Sequence, residues 1–192
     1  MIVRPAAAAA LAVLTLAGCG RSDRSGNQAA PSPAARQPFS LYLSSSAFTD
    51  GQTLPTEYTC DGTGHSPPLQ WSDAPAQTQS FAIVLEDPDA PNGTFRHWGA
   101  YDIPATTHAF PAGEAQDGAS GFRQTRNDFG NAGYGPPCPP KGGQSHHYRF
   151  RLMALNVARL GSPSDVKDLL NAAGGHVLGT AEVVALYGGT ER

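Results

Sequence analysis

The stretch that most restricts the fold is Phe81-Ala-Ile-Val-Leu-Glu-Asp-Pro-Asp-Ala-Pro91. Residues 81–85 are an unbroken apolar run, short and rich in β-formers, which predicts a strand covered on both faces. Pro88 and Pro91 then fix φ and remove two backbone donors, so the strand ends in a stiff turn that carries Asp87 and Asp89. After a short polar link, His97-Trp98-Gly99-Ala100-Tyr101-Asp102-Ile103-Pro104 reads as a second strand with an imidazole at its mouth. Two carboxylates and a histidine at the rim of a sheet make either a polar site or an unfavourable loop end.

The flanking segments extend this pattern. Alternating Phe39, Leu41 and Leu43 predict a first strand at a sheet edge, and Leu69 and Trp71 a short one after a Pro- and Gly-rich loop over 55–68. Residues 105–135 read as a long loop rich in Gly, Ala, Asp and Asn. It leads through Gly135-Pro-Pro-Cys-Pro-Pro140 to His146-His147-Tyr148 at the mouth of a strand over 148–156, so a rigid turn again delivers histidine to a strand. Ser162-Pro163-Ser164-Asp165 predicts a helix start with Ser162 as cap and Pro163 at the first position. Val166, Leu169, Leu170 and Ala173 then share one face; a second helical turn is expected at 176–180 and a last strand over 183–187. The fold class is mainly β, most simply a β-sandwich, with one or two C-terminal helices.

Residues 1–18 read as a targeting segment, because Ala6–Ala17 is apolar but too short to span a bilayer. Leu16-Ala17-Gly18-Cys19 resembles a bacterial lipobox, which predicts acylation of Cys19 and a membrane partner through that lipid. Gly20 after Cys19 resembles the pattern exported to the outer membrane, facing the periplasm. Residues 19–38 are Pro- and Ala-rich without periodicity and are expected to be a disordered tether; 39–192 then form one domain. The net charge is −3, and no basic block is present, which argues against nucleic acid as a partner. With Cys19 lipidated, Cys60 and Cys138 remain as an even pair in an oxidising space, which predicts a disulfide over two free thiols.

Several segments together resemble the phosphatidylethanolamine-binding protein family, in its bacterial Raf-kinase-inhibitor-like branch. They are Cys60-Asp61-Gly62 with Ser66-Pro67-Pro68-Leu69 and Trp71, Asp87-Pro88-Asp89-Ala90-Pro91, His97-Trp98 with Ile103-Pro104, Gly135–Pro140 with Gly142, His146-His147-Tyr148 with Phe150, and Gly175-His176-Val177-Leu178. They follow the family's order over nearly all of 39–188. Two departures stand out: Asp102 where the family usually has Asn, and an extra residue in Gly-Pro-Pro-Cys-Pro-Pro.

The resemblance implies a β-sandwich of Greek-key-type antiparallel sheets with a small anion pocket for phosphate, acetate or phosphorylated head groups. Carried over residue by residue, the pocket is Asp87, His97, His146 and Tyr148, with Ala90, Pro91, Gly135, Pro139 and Pro140 as walls. Two imidazoles and a phenol supply directional donors. Asp87 is expected to orient one histidine and keep its proton available. Asp89 is expected to tie the turn to Ser66 or to backbone N–H groups.

The favoured function is thus a non-catalytic envelope lipoprotein that binds small anionic ligands, without a cofactor. One alternative is a protein–protein inhibitor of a protease or kinase acting through the 105–135 loop on an unidentified partner. A metal-dependent hydrolase is the weaker alternative, since neither H-E-x-x-H nor G-x-S-x-G occurs. Related bacterial proteins are often homodimers, so a dimer is a further expectation.

Overall fold

In the computed structural model, the chain between residues 80 and 104 forms two neighbouring antiparallel strands at the centre of a six-stranded sheet. The structure describes residues 40–116 and 121–188. The expectations for the targeting segment, Cys19 and the tether fall outside them. In chain order the strands are β1 (Tyr42–Ser44), β2 (Gln52–Thr53), β3 (Leu69–Ser72), β4 (Ser80–Asp87), β5 (Phe95–Pro104), β6 (Ala109–Phe110), β7 (Arg123–Gln124), β8 (His146–Leu155) and β9 (Val177–Tyr187), with one helix, α1 (Val166–Ala173), between β8 and β9.

The larger sheet has the order β2-β9-β8-β4-β5-β7, and the smaller one β1-β3-β6. Every pairing is antiparallel except β2 with β9, which is parallel. β1 lies at a sheet edge, as its alternation predicts.

Strand β4 shows why its apolar run is continuous. Phe81, Ile83 and Leu85 face the smaller sheet and pack with Leu43, Trp71 and Phe110. Ala82 and Val84 face the other way, onto Val166, Leu169 and Ala173 of α1. Residues 81–85 are all fully buried. Each large aliphatic or aromatic side chain so buried contributes about 1.5–3 kcal/mol. The helix comes close because β5 carries Gly99 beneath it. A Cβ there would overlap Thr125 Oγ1 and press on Val166 at 3.0 Å and Leu169 at 3.1 Å.

Three local expectations are corrected. The helix is capped by Asp165, not Ser162: Asp165 is extended at φ −146°, and its Oδ1 accepts the Asp168 N–H at 2.9 Å. Ser162 lies outside the helix, where its Oγ accepts from Arg123 Nη2. The helical turn expected at 176–180 is strand, because β9 pairs with β8 from Leu155–Val177 to His146–Tyr187, and that long ladder overrides local preference. The 105–135 segment is not plain loop either: β6 and β7 fall within it and pair with β3 and β5.

Candidate functional site

The polar cluster forms where β4 ends and where β5 and β8 begin. These are the same end of adjacent antiparallel strands. Side chains alternate along a strand, so His146 and Tyr148 share one face of β8 while His147 points to the other. Asp87, the last residue of β4, receives a 2.7 Å hydrogen bond from His146 Nδ1 to its Oδ2. Its Oδ1 accepts the Asp89 N–H at 2.9 Å, so both carboxylate oxygens are engaged in a residue that is 3% exposed.

His97 reaches the cluster through a β-bulge. The β4–β5 register steps from Leu85–Trp98 to Glu86–Arg96, which leaves His97 as the extra residue. Successive side chains His97 and Trp98 therefore both turn inward: Trp98 enters the core, and the His97 ring lies edge-on to Tyr148 at 5.4 Å. A regular strand would send His97 to the opposite face. Its Nδ1 donates to the Gly135 carbonyl at 2.9 Å, while the Gly135 N–H donates to the His97 carbonyl at 2.8 Å.

These bonds define the available protons. A carbonyl only accepts, so His97 carries hydrogen on Nδ1; the Asp87 carboxylate requires the same of His146. Each ring has Nε2 left over. Burial is the main influence on His97 and pushes it below the ordinary imidazole range, which favours the neutral ring. Tyr148 is fully buried, and among the described residues its hydroxyl has no partner in ordinary hydrogen-bond geometry, although the Asp87 carboxylate lies near enough to act on it. Burial first, and the nearby Asp87 charge second, push its ionisation far up, so it remains a phenol. An orphaned buried hydroxyl costs about 1–3 kcal/mol. The Tyr148 ring lies edge-on to that of His97 and stacked on that of His146 at 6.4 Å.

The wall beyond His97 is built by residues 127–138. Asn127 is buried and folds this turn: its Oδ1 accepts from the N–H groups of Phe129 and Asn131, and its Nδ2 donates to the Gly133 carbonyl. Phe129 stands edge-on to Phe95 at 4.7 Å and to His97 at 5.5 Å. Gly135 lets the Phe129 ring pack close, because a Cβ there would sit 2.5 Å from that ring and displace it. Cys60 and Cys138 form a disulfide. A cavity of about 320 Å³ lies between it, Phe129 and Tyr134, whose hydroxyl donates to the Tyr58 carbonyl at 2.8 Å.

The remaining expected residues are placed as follows. Asp89 does tie the turn to backbone: its Oδ2 accepts both the N–H and the Nδ1–H of His147, each at 2.7 Å. The backbone and side-chain bonds from His147 hold its carboxyl below the usual range. Ser66 is not its partner; Ser66 Oγ accepts the Ala115 N–H and its carbonyl the Gly113 N–H, so it anchors a different loop. Ala90 and Pro91 follow Asp89 in the turn, with Pro91 exposed. Pro139 packs on Gly188, and Pro140 is exposed.

The His147 partnership was readable from the alternation of two aspartates against two adjacent histidines, one pair per face. The roles of Phe129 and Asn127 had no such signal, since both depend on how the turn closes. Among the described residues, no group of three or more His, Cys, Asp or Glu side chains gathers as a metal site.

This geometry defines a class, a two-sheet sandwich with a histidine–tyrosine–aspartate cluster at one rim. The sequence profile of the phosphatidylethanolamine-binding protein family matches residues 44–188, and the chain belongs to that family. An Aquifex aeolicus relative, a UPF0098 protein, is 44% identical over 149 residues, covering 74% of this chain and 85% of the relative. The Escherichia coli UPF0098 protein YbcL is 37% identical over 166 residues, covering 79% and 89%. The crystal structure of E. coli YbcL, described as a new member of the mammalian PEBP family, superposes with a TM-score of 0.73 at 35% identity, covering 77% of this chain and 98% of that one. A Chlamydia trachomatis homologue described as a putative phosphatidylethanolamine-binding protein gives 0.70 at 36% identity, covering 78% and 97%.

Proposed function

We propose that this protein is a non-catalytic envelope lipoprotein that binds phosphate, phosphorylated head groups or similar small anions at the Asp87–His97–His146–Tyr148 cluster. The observation that carries the reading is the Tyr148 hydroxyl, buried without a hydrogen bond of ordinary geometry, on a ring packed against those of His97 and His146. Such a group is expected where a ligand oxygen completes the bonding. Tyr148 donates its proton, and His146 donates from Nε2 once that nitrogen is protonated. Asp87 at 2.7 Å then balances the imidazolium charge. His97, whose neutral form is favoured by burial, presents its bare Nε2 to a hydroxyl on the ligand, as a protonated phosphate carries. The N-terminal lipobox supplies the anchor and the envelope location.

The test is calorimetric titration of the full chain with phosphate and phosphoethanolamine at pH 5.5 and pH 8, repeated with His146→Ala. Saturable binding that is stronger at pH 5.5 and lost in the variant is the expected result. No binding of either ligand at either pH would remove this reading.

A further inference from the structure

Segment 135–140 holds His97 in place, yet its own backbone offers few hydrogen-bond donors. Pro136, Pro137, Pro139 and Pro140 lack N–H groups, so only Gly135 and Cys138 can donate from the backbone. The Gly135 N–H is spent on His97, and its carbonyl receives the His97 ring. On the other side the segment is tied to the 56–62 turn by the Cys60 N–H to the Pro137 carbonyl at 3.0 Å and by the Cys60–Cys138 disulfide. The same turn reaches the opposite wall. Asp61 Oδ2 accepts from the Tyr187 hydroxyl at 2.6 Å, and Tyr187 is the register partner of His146. Lys141 Nζ lies 3.9 Å from Asp61 Oδ1. One short turn thus joins the segment that orients His97 to the strand beside His146. Both cysteines are exposed residues and line the cavity beside Phe129 and Tyr134, which gives a reductant an approach to the bond.

We propose that the Cys60–Cys138 disulfide is a redox latch on the anion site: closed, it presses Gly135 against His97, and reduction releases that contact and weakens anion binding. The proposal rests on the anion-binding reading above. In the opening step a dithiol attacks the disulfide. The S–S bond accepts two electrons and two protons to become the two thiols, and the dithiol is oxidised to its own disulfide. The prolines pass the displacement along, because their fixed φ makes 136–140 a stiff lever rather than a slack loop. With Gly135 released, Nδ1 of His97 loses its fixed acceptor, and the proton is free to move to Nε2.

The experiment uses the full chain, oxidised, reduced with dithiothreitol, and as the Cys60→Ser/Cys138→Ser variant. Phosphate affinity is measured by calorimetry, and the His97 tautomer by ring ¹⁵N chemical shifts. The expected result is binding in the oxidised protein, about tenfold weaker binding in the other two, and a His97 ring that changes from a fixed Nδ1–H form to a mixture. Folding is followed by near-UV circular dichroism. Equal affinity in all three forms with an unchanged His97 would overturn the latch and leave the site reading intact. Loss of the near-UV signal on reduction would also overturn it, since the bond would then be structural support. No binding even in the oxidised protein would be the failure of the site reading itself.

Discussion

Replacing Asp87 by Ala isolates the support that a buried carboxylate gives to the partly buried His146 ring. Asp87 accepts a 2.7 Å bond from His146 Nδ1; the residue is 3% exposed and also accepts the Asp89 N–H. A hydrogen bond to a charged group contributes about 1.5–3 kcal/mol. At about 1.4 kcal/mol per factor of ten, its loss weakens phosphate binding at pH 5.5 by roughly 10- to 150-fold. Deleting the carboxylate also removes its repulsion of the anion. The expected weakening requires that the lost support of His146 outweigh this relief. The assay is calorimetric titration with phosphate, with a thermal melt to show that the variant is folded at the assay temperature. Equal or tighter binding by folded Asp87→Ala would refute the reasoning.

Three further outcomes are expected. Gly99→Ala inserts a Cβ against Thr125, Val166 and Leu169, and destabilises by about 1–3 kcal/mol in urea denaturation; a neutral change would show that α1 shifts freely. Asp165→Ala removes the bond to the Asp168 N–H and costs about 1 kcal/mol, whereas Ser162→Ala, outside the helix, leaves the α1 capping contribution unchanged in the same assay. His97 is held below its ordinary value of 6.5, so the unfolded chain takes up its proton first on acidification. Its contribution is fully present above pH 6.5 and is lost as pH falls toward the depressed folded value, so a pH series should show a drop that His97→Gln lacks.

The sandwich was legible because β4 announces two covered faces. An unbroken run from Phe81 to Leu85 has no other inexpensive fate than burial between a second sheet and a helix. The short elements were not legible. β6 and β7 hold two residues each and exist only because β3 and β5 offer them partners. Residues 176–180 carry a local helical hint that a ten-pair ladder with β8 overrules. The histidines at strand mouths were visible as a pattern, and the family resemblance named the companions. What could not be read was the bulge that turns His97 inward, or the Gly135 carbonyl that sets its tautomer. Both depend on one residue of register between strands, which spacing along the chain does not encode. Asp102, the departure noted in the sequence, sits at φ 56°, its Oδ1 accepts the Leu160 N–H, and Arg123 and Arg159 lie within 4 Å of its Oδ2.

The central claim is that the Tyr148 hydroxyl is kept unpaired for a ligand. Tyr148→Phe removes that oxygen and little else. The single measurement is the phosphate affinity of this variant, read beside its melting temperature. The account predicts affinity reduced by about tenfold or more together with stability equal to or above the parent protein, because an unsatisfied buried group is gone. Unchanged affinity with lowered stability would contradict it, and would make Tyr148 a core residue whose hydroxyl serves the fold.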